Sequence, residues 1–315
     1  MPSAEWWIER GIGETRAALV EHGQIMEARI IPAGVVPARS ILEGRLKKVG
    51  RNAVAVAGRQ EYLLRNGAPG ITEGATLNIE VTRESLAGAE PWKRALARLT
   101  REPPGPAPPL EGRELQFPAP KDELEAAGWS DLLDEARGGL VAFVGGELRV
   151  SLTPAMTLID VDGYLPPAEL MVAGARAAAS AIRRHGVGGS IGIDLPTVQE
   201  KAARKAAAAA IDAALPQPFE RTSVNGFGFL QIVRPRTHAS LFELAADHPA
   251  FEARALLRRA ASEIGAIRLA AHPAVLAVLE ANSSWIDQLA RQVGGQVTLR
   301  VDASLAIAGG HAERA

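Results

Sequence analysis

The chain has 315 residues, 47% of them hydrophobic and 23% charged, with a formal net charge of −1. That length and balance fit a globular protein of two or three units with apolar cores, and near-neutrality speaks against bulk coating of nucleic acid while leaving room for a locally basic groove. The absence of cysteine excludes disulfides, thiolate zinc sites and cysteine nucleophiles.

Only six histidines are present, none spaced as an HExxH pair, so any metal should be a hard cation on carboxylates, Mg2+ or Mn2+ and not zinc. No apolar run reaches the ~18 residues of a membrane span. Trp6 and Trp7 beside Glu5 and Glu9 do not make a secretory leader, and the expectation is a cytoplasmic protein with no membrane partner.

Residues 6–31 predict two strands that turn at Gly23. Residues 40–86 predict a small antiparallel barrel from three strand-like runs punctuated by glycine: ILEGRLKKV, AVAVAG continuing to EYLLR, and ATLNIEVTRES. Between Arg45 and Arg65, the residues Arg45, Lys47, Lys48, Arg51, Arg59 and Arg65 stand against one acid, Glu61. That excess suits a phosphate backbone, and equally suits a solvated basic face.

Residues 101–121 hold five prolines between Pro103 and Pro109, which forbids helix or central strand and marks a domain boundary. A helix is expected over 121–137, carrying Trp129, Leu132 and Leu133. Beyond it the runs LVAFV, LRVSL, MTLIDVD, GSIGIDL, FGFLQIV and QVTLRVD alternate with alanine-rich helices near 167–185, 197–215, 250–265 and 273–292. That alternation predicts an α/β fold with βαβ crossovers and a largely parallel sheet.

Two of these strands end in aspartate. MTLIDVDG carries Asp160 and Asp162 on one strand face, because side chains alternate with period 2, and GGSIGIDLP carries Asp194. With one helix between them the strands run parallel, so the three carboxylates meet at the carboxyl ends, where open α/β sheets bind ligands. Carboxylates without cysteine or histidine suit Mg2+ or Mn2+. Aspartates after strands also serve as helix caps and turn residues, and the pattern alone leaves both readings open.

The run LTPAMTLIDVDG, then LMVAGARAAASAIRRHGVGGSIGIDL, then NGFGFLQIVRPRTHASL, resembles the catalytic core of the ribonuclease E/G family. The opening ALVEHGQIMEARI and the closing HPAVLAVLEANSSWIDQLARQVGGQVTLRVDAS are similar to that family's ends. The resemblance implies a ribonuclease H-like part from residues 1–38 and 122–152, a reduced OB-fold barrel over 39–100 and a proline-rich linker over 101–121. A DNase I-like catalytic subdomain over 153–240 and a C-terminal α/β segment over 241–315 complete it.

The implied activity is metal-dependent endonucleolytic hydrolysis of single-stranded RNA to 5′-phosphate and 3′-hydroxyl ends, in RNA processing or decay. Asp160 and Asp194 match the metal-ligand aspartates, and Asp162 stands where the family has an asparagine. Arg234 and Arg236 are expected to contact RNA in place of the family's arginine, which is Gly226 here. Val56 and Leu63 fall near the positions of its stacking phenylalanines, which leaves only Tyr62 as a platform for RNA bases.

The zinc-link cysteines are missing, with AADHPAFEARALL in their place, so a homodimer would carry no zinc bridge. No 5′-end sensor domain fits between barrel and core. The rival reading is an RNA-binding protein of the same fold without cleavage. A small-molecule kinase or phosphatase is disfavoured, since no Walker loop is present.

Overall fold

A computed structural model describes residues 4–86 and 93–314. The chain divides into two units. One is Met1–Ala33, Glu111–Leu133 and Leu244–Ala315; the other is Gly34–Leu110 and Asp134–Glu243.

The chain opens with β1 (Glu5–Arg10), β2 (Glu14–Glu21) and β3 (Gln24–Pro32), an antiparallel meander. Sequence reading merged the first strand into the second, since Gly11–Ile12–Gly13 turns as sharply as Gly23. The barrel follows as β4 (Ile41–Lys48), β5 (Ala53–Ala57), β6 (Gln60–Leu64), β7 (Thr76–Arg83) and β8 (Ala95–Thr100). It closes in the order β4-β5-β6-β8-β7, with β6 and β8 parallel and the other pairs antiparallel. Alternate residues fill it, among them Leu46, Leu64, Leu77 and Ile79, each 5% exposed or less. Three runs were expected; the second folds back on itself at Gly58, and Ala95–Thr100 supplies the fifth strand.

The proline-rich segment does cross between the units. Gly105 bridges to Ile41, and β9 (Arg113–Leu115) lies parallel to β1 at the edge of the first sheet, β3-β2-β1-β9. The helix expected at 121–137 breaks at Gly128 into α1 (Glu123–Ala126) and α2 (Trp129–Gly138). Trp129, Leu132 and Leu133 are buried. Arg16, 1% exposed, donates to Glu9 at 2.9 Å and to Asp122 at 3.2 Å, and stacks 5.0 Å from the Trp129 ring centroid.

Then come β10 (Leu140–Phe143), β11 (Gly146–Leu152), β12 (Thr157–Gly163), α3 (Pro167–Arg184), β13 (Gly189–Asp194), α4 (Lys201–Ala214), β14 (Glu220–Arg221) and β15 (Phe229–Arg234). They form one sheet ordered β10-β11-β12-β13-β15-β14. Two corrections follow. Residues 140–152 join this sheet and not that of the opening strands, because β10 pairs with β11 and β11 with β12 along its whole length. Only β12 and β13 are parallel, since α3 is the one crossover and the other neighbours pair antiparallel.

The chain ends with α5 (Leu241–Ala245), α6 (His248–Ala260), β16 (Ile267–Ala271), α7 (Pro273–Ala281), α8 (Ser283–Val293), β17 (Val297–Val301) and β18 (His311–Arg314). Leu256, Leu257, Leu269, Leu276 and Leu289 share one core there. Asn282 splits the helix expected over 273–292, and β16 and β18 were not foreseen. Asp247 caps α6, accepting from the Ala250 amide at 3.4 Å. Among the described residues no helix is long and apolar enough to cross a membrane.

Candidate metal and nucleic-acid site

The six-stranded sheet has two unlike faces. Val141, Leu148, Ile159, Val161, Ile191, Ile193, Leu230 and Ile232 are buried on one, where α3 packs and α4 packs against α3. Gly174 allows that approach, because a Cβ there would sit 2.2 Å from Val161 Cγ1. The opposite face carries Leu140, Arg149, Leu158, Asp160, Asp162, Asp194 and Val233, all exposed, with Glu147 half-buried among them.

Asp160 and Asp194 are register partners on the parallel pair β12 and β13. Adjacent strands lie about 4.8 Å apart, so the two carboxylates are immediate neighbours. Neither has a hydrogen-bond or ion-pair partner among the described residues, whereas Asp162 accepts from the Gly163 amide at 2.8 Å. Asp194 is not a helix cap, since Glu200 holds that position on α4.

Arg149 stands opposite Asp160 on β11, yet its guanidinium pairs with Glu147 at 2.8 Å and stays 59% exposed. Like charges directly opposite across strands destabilise a sheet, and this pair has no counter-charge of its own. A hard divalent cation fits such a donor set. No three acidic or imidazole groups among the described residues gather into a cage. A cation on this pair would therefore keep most of its shell for water and phosphate oxygens.

The loop before β15 lies beside Asp194. Asn225 Oδ1 accepts from the Phe227 amide at 2.9 Å and the Phe229 amide at 3.0 Å. Thr197 Oγ1 donates to the Phe227 carbonyl at 3.0 Å, and the Leu195 amide to Gly228 O at 3.3 Å. Gly228 has φ +93°, and a Cβ there would meet Leu195 O at 2.1 Å. The loop is thus pressed onto the chain leaving β13. Gly226 has open space around it.

The basic residues divide differently from expectation. Arg45, Lys47, Lys48 and Arg51 are exposed, and Lys47 and Lys48 line a barrel cleft of 430 Å³ with Leu63, Glu61, Glu73 and Arg94. Glu61 sits among them, 2.6 Å from Lys47 and 2.8 Å from Arg94. The Lys47 hydrogen bond, with Arg94 close by, holds its carboxyl below the usual range. Two of the cleft's cations are therefore already engaged.

Tyr62 is 1% exposed in the barrel core, its hydroxyl 3.2 Å from Gln60 Oε1, and is no stacking platform. Which of Glu61, Tyr62 and Leu63 turns inward is fixed by pairing register, and Tyr62 falls on the inner face.

Arg234 and Arg236 are corrected as well. Asp194 pairs with Phe229 but Gly189 pairs with Arg234. Arg234 thus lies five residues farther along an antiparallel strand, about 17 Å from the carboxylates. It turns to the Val187 carbonyl at 3.3 Å, and Arg236 is ion-paired with Glu243. Neither lines the open face at Asp194.

Sequence reading passed over Arg149, Tyr164 and Phe227. The alternation in ELRVS would have placed Arg149 on the aspartate face; the exposed rings had no sequence signal. No protein-family model matches the chain, and no curated protein is similar to it in sequence.

Proposed function

We propose that this protein is a reduced, zinc-free nuclease of the ribonuclease E/G type that hydrolyses single-stranded RNA with a divalent cation. The observation that carries the reading is the register pairing of Asp160 with Asp194: two unpartnered carboxylates side by side on parallel strands of an open sheet face. A pure binder of phosphate gains nothing from them. Asp160 and Asp194 hold Mg2+ or Mn2+, with Asp162 one pleat beyond on the same face. When bound, the cation lowers the pKa of its water and steadies charge on the phosphoryl oxygens.

On this reading the six-stranded sheet corresponds to the DNase I-like subdomain and the opening meander to the ribonuclease H-like part. The barrel's order, with third and fifth strands parallel, corresponds to an OB-fold, a platform for oligonucleotides. Arg149, beside Asp160, is placed to meet phosphate.

The test is cleavage of total RNA with and without Mg2+, with the product ends mapped. Asp160→Asn and Asp194→Asn should each lower the rate about 1000-fold, the equivalent of roughly 4 kcal/mol, while RNA binding holds or improves. Near-wild-type cleavage by either variant would sink the assignment. The second reading, a binder without cleavage, draws on Gly226 in place of arginine. It predicts tight RNA binding with no Mg2+-dependent product.

A further inference from the structure

Aromatic residues make up 4% of this chain, and the barrel turns its tyrosine inward. Among the described residues two rings nevertheless stand almost wholly in solvent: Phe227 is 81% exposed and Tyr164 is 84% exposed. Both belong to the carboxylate end of the six-stranded sheet. Tyr164 follows β12 two residues after Asp162, its amide donating to the Gly145 carbonyl at 3.1 Å. Phe227 precedes β15 by two residues, and the first residue of β15, Phe229, is the register partner of Asp194. Tyr164 thus stands beyond the carboxyl end of β12, four residues past Asp160, and Phe227 stands in the loop entering β15, two residues before the register partner of Asp194.

The backbone at Phe227 is immobilised by Asn225, Thr197 and Leu195, yet its ring is left unburied. Those hydrogen bonds set the backbone in place and leave the ring as an unburied surface beside the carboxylates. The chemistry beside the rings decides what that surface receives. Carboxylates poised for a cation take phosphate, and flat π-surfaces flanking phosphate take unpaired bases.

We propose that Phe227 and Tyr164 are the base-stacking platforms of this protein, seating the two nucleobases that flank the phosphate held at Asp160 and Asp194. The inference rests on the nuclease reading and adds to it where substrate specificity resides. Among the described residues of the barrel Tyr62 is buried, and these rings take the stacking role in its place. They select single strands, because a paired base cannot splay onto a protein ring, and they tolerate any sequence, because every base has a π-face.

The experiment is fluorescence anisotropy with a short labelled single-stranded RNA and with its duplex, in the presence of Mg2+, using wild type, Phe227→Ala, Tyr164→Ala and Phe227→Trp. Neither ring packs in a core, and circular dichroism should show all variants folded. Each alanine variant should weaken single-strand binding about tenfold, Phe227→Trp should restore it, and duplex binding should be weak throughout. In cleavage assays the loss should fall on KM more than kcat.

An RNA with abasic positions flanking the scissile phosphate should bind wild type as poorly as Phe227→Ala binds intact RNA, and the variant should lose nothing more on it. Unchanged affinity in both alanine variants overturns the proposal, even where Asp160→Asn still abolishes cleavage and the nuclease reading stands. Wild type that binds no single-stranded RNA at all overturns both.

Discussion

At the scale of single residues, Asp122 shows how charge is placed in the first unit. It caps α1, its Oδ1 accepting from the Glu125 amide at 2.9 Å, while Arg16 lies 3.2 Å and Arg258 3.9 Å from its other oxygen. Burial alone pushes its carboxyl up, but the amide and the two guanidinium groups outweigh that and hold it below the usual range. A depressed folded value means that its stabilisation is present above the unfolded value of about 3.9 and is lost as pH falls beneath it.

Asp122→Ala should cost about 1 kcal/mol for the cap alone. Asp122→Asn keeps the cap and removes the charge, so its deficit in urea midpoint should hold between pH 7 and 5 and close below pH 4. A deficit independent of pH would mean that the ion pairs contribute nothing.

The aspartates of the second unit were legible in sequence for a simple reason: strand alternation fixes Asp160 and Asp162 to one face wherever the strand lies. Arg234 and Arg236 were misjudged for an equally simple one. Nearness in sequence to NGFGF became distance in space once the chain ran antiparallel away from Asp194.

Among elements, α3 matters most, since its packing sets the height of β12. Gly174 sits in mid-helix, where alanine is favoured by about 1 kcal/mol in propensity. The 2.2 Å approach to Val161 reverses that preference, because overpacking a tight contact costs about 1–3 kcal/mol. Val161 lies between Asp160 and Asp162, so a shift there moves both carboxylates.

Gly174→Ala should lower the melting temperature and reduce cleavage together; a more stable, fully active variant would show that the helix has room to spare. The order of strands and helices was readable from periodicity, but sheet direction was not. Only β12 and β13 have a long helix as their sole connection, and the two-residue β14 leaves no periodic trace. The fifth barrel strand went unread because it follows a long interval after Arg83.

Across the whole molecule, charge nearly cancels at −1. That sum hides an uneven second unit, with engaged cations on the barrel and unneutralised acids on the open sheet face. The same face exposes Leu140 at 47%, Leu158 at 36% and Val233 at 53%. The carboxylates therefore have a colloidal role beside any chemical one: their mutual repulsion keeps two such faces from lying flat on each other.

Converting Asp160, Asp162 and Asp194 together to asparagine shifts the net charge from −1 to +2, a small magnitude either way. Any association that appears must then come from the face itself. Light scattering should show the triple variant assembling as concentration rises, while the single variants, with two of the three aspartates left, remain dispersed.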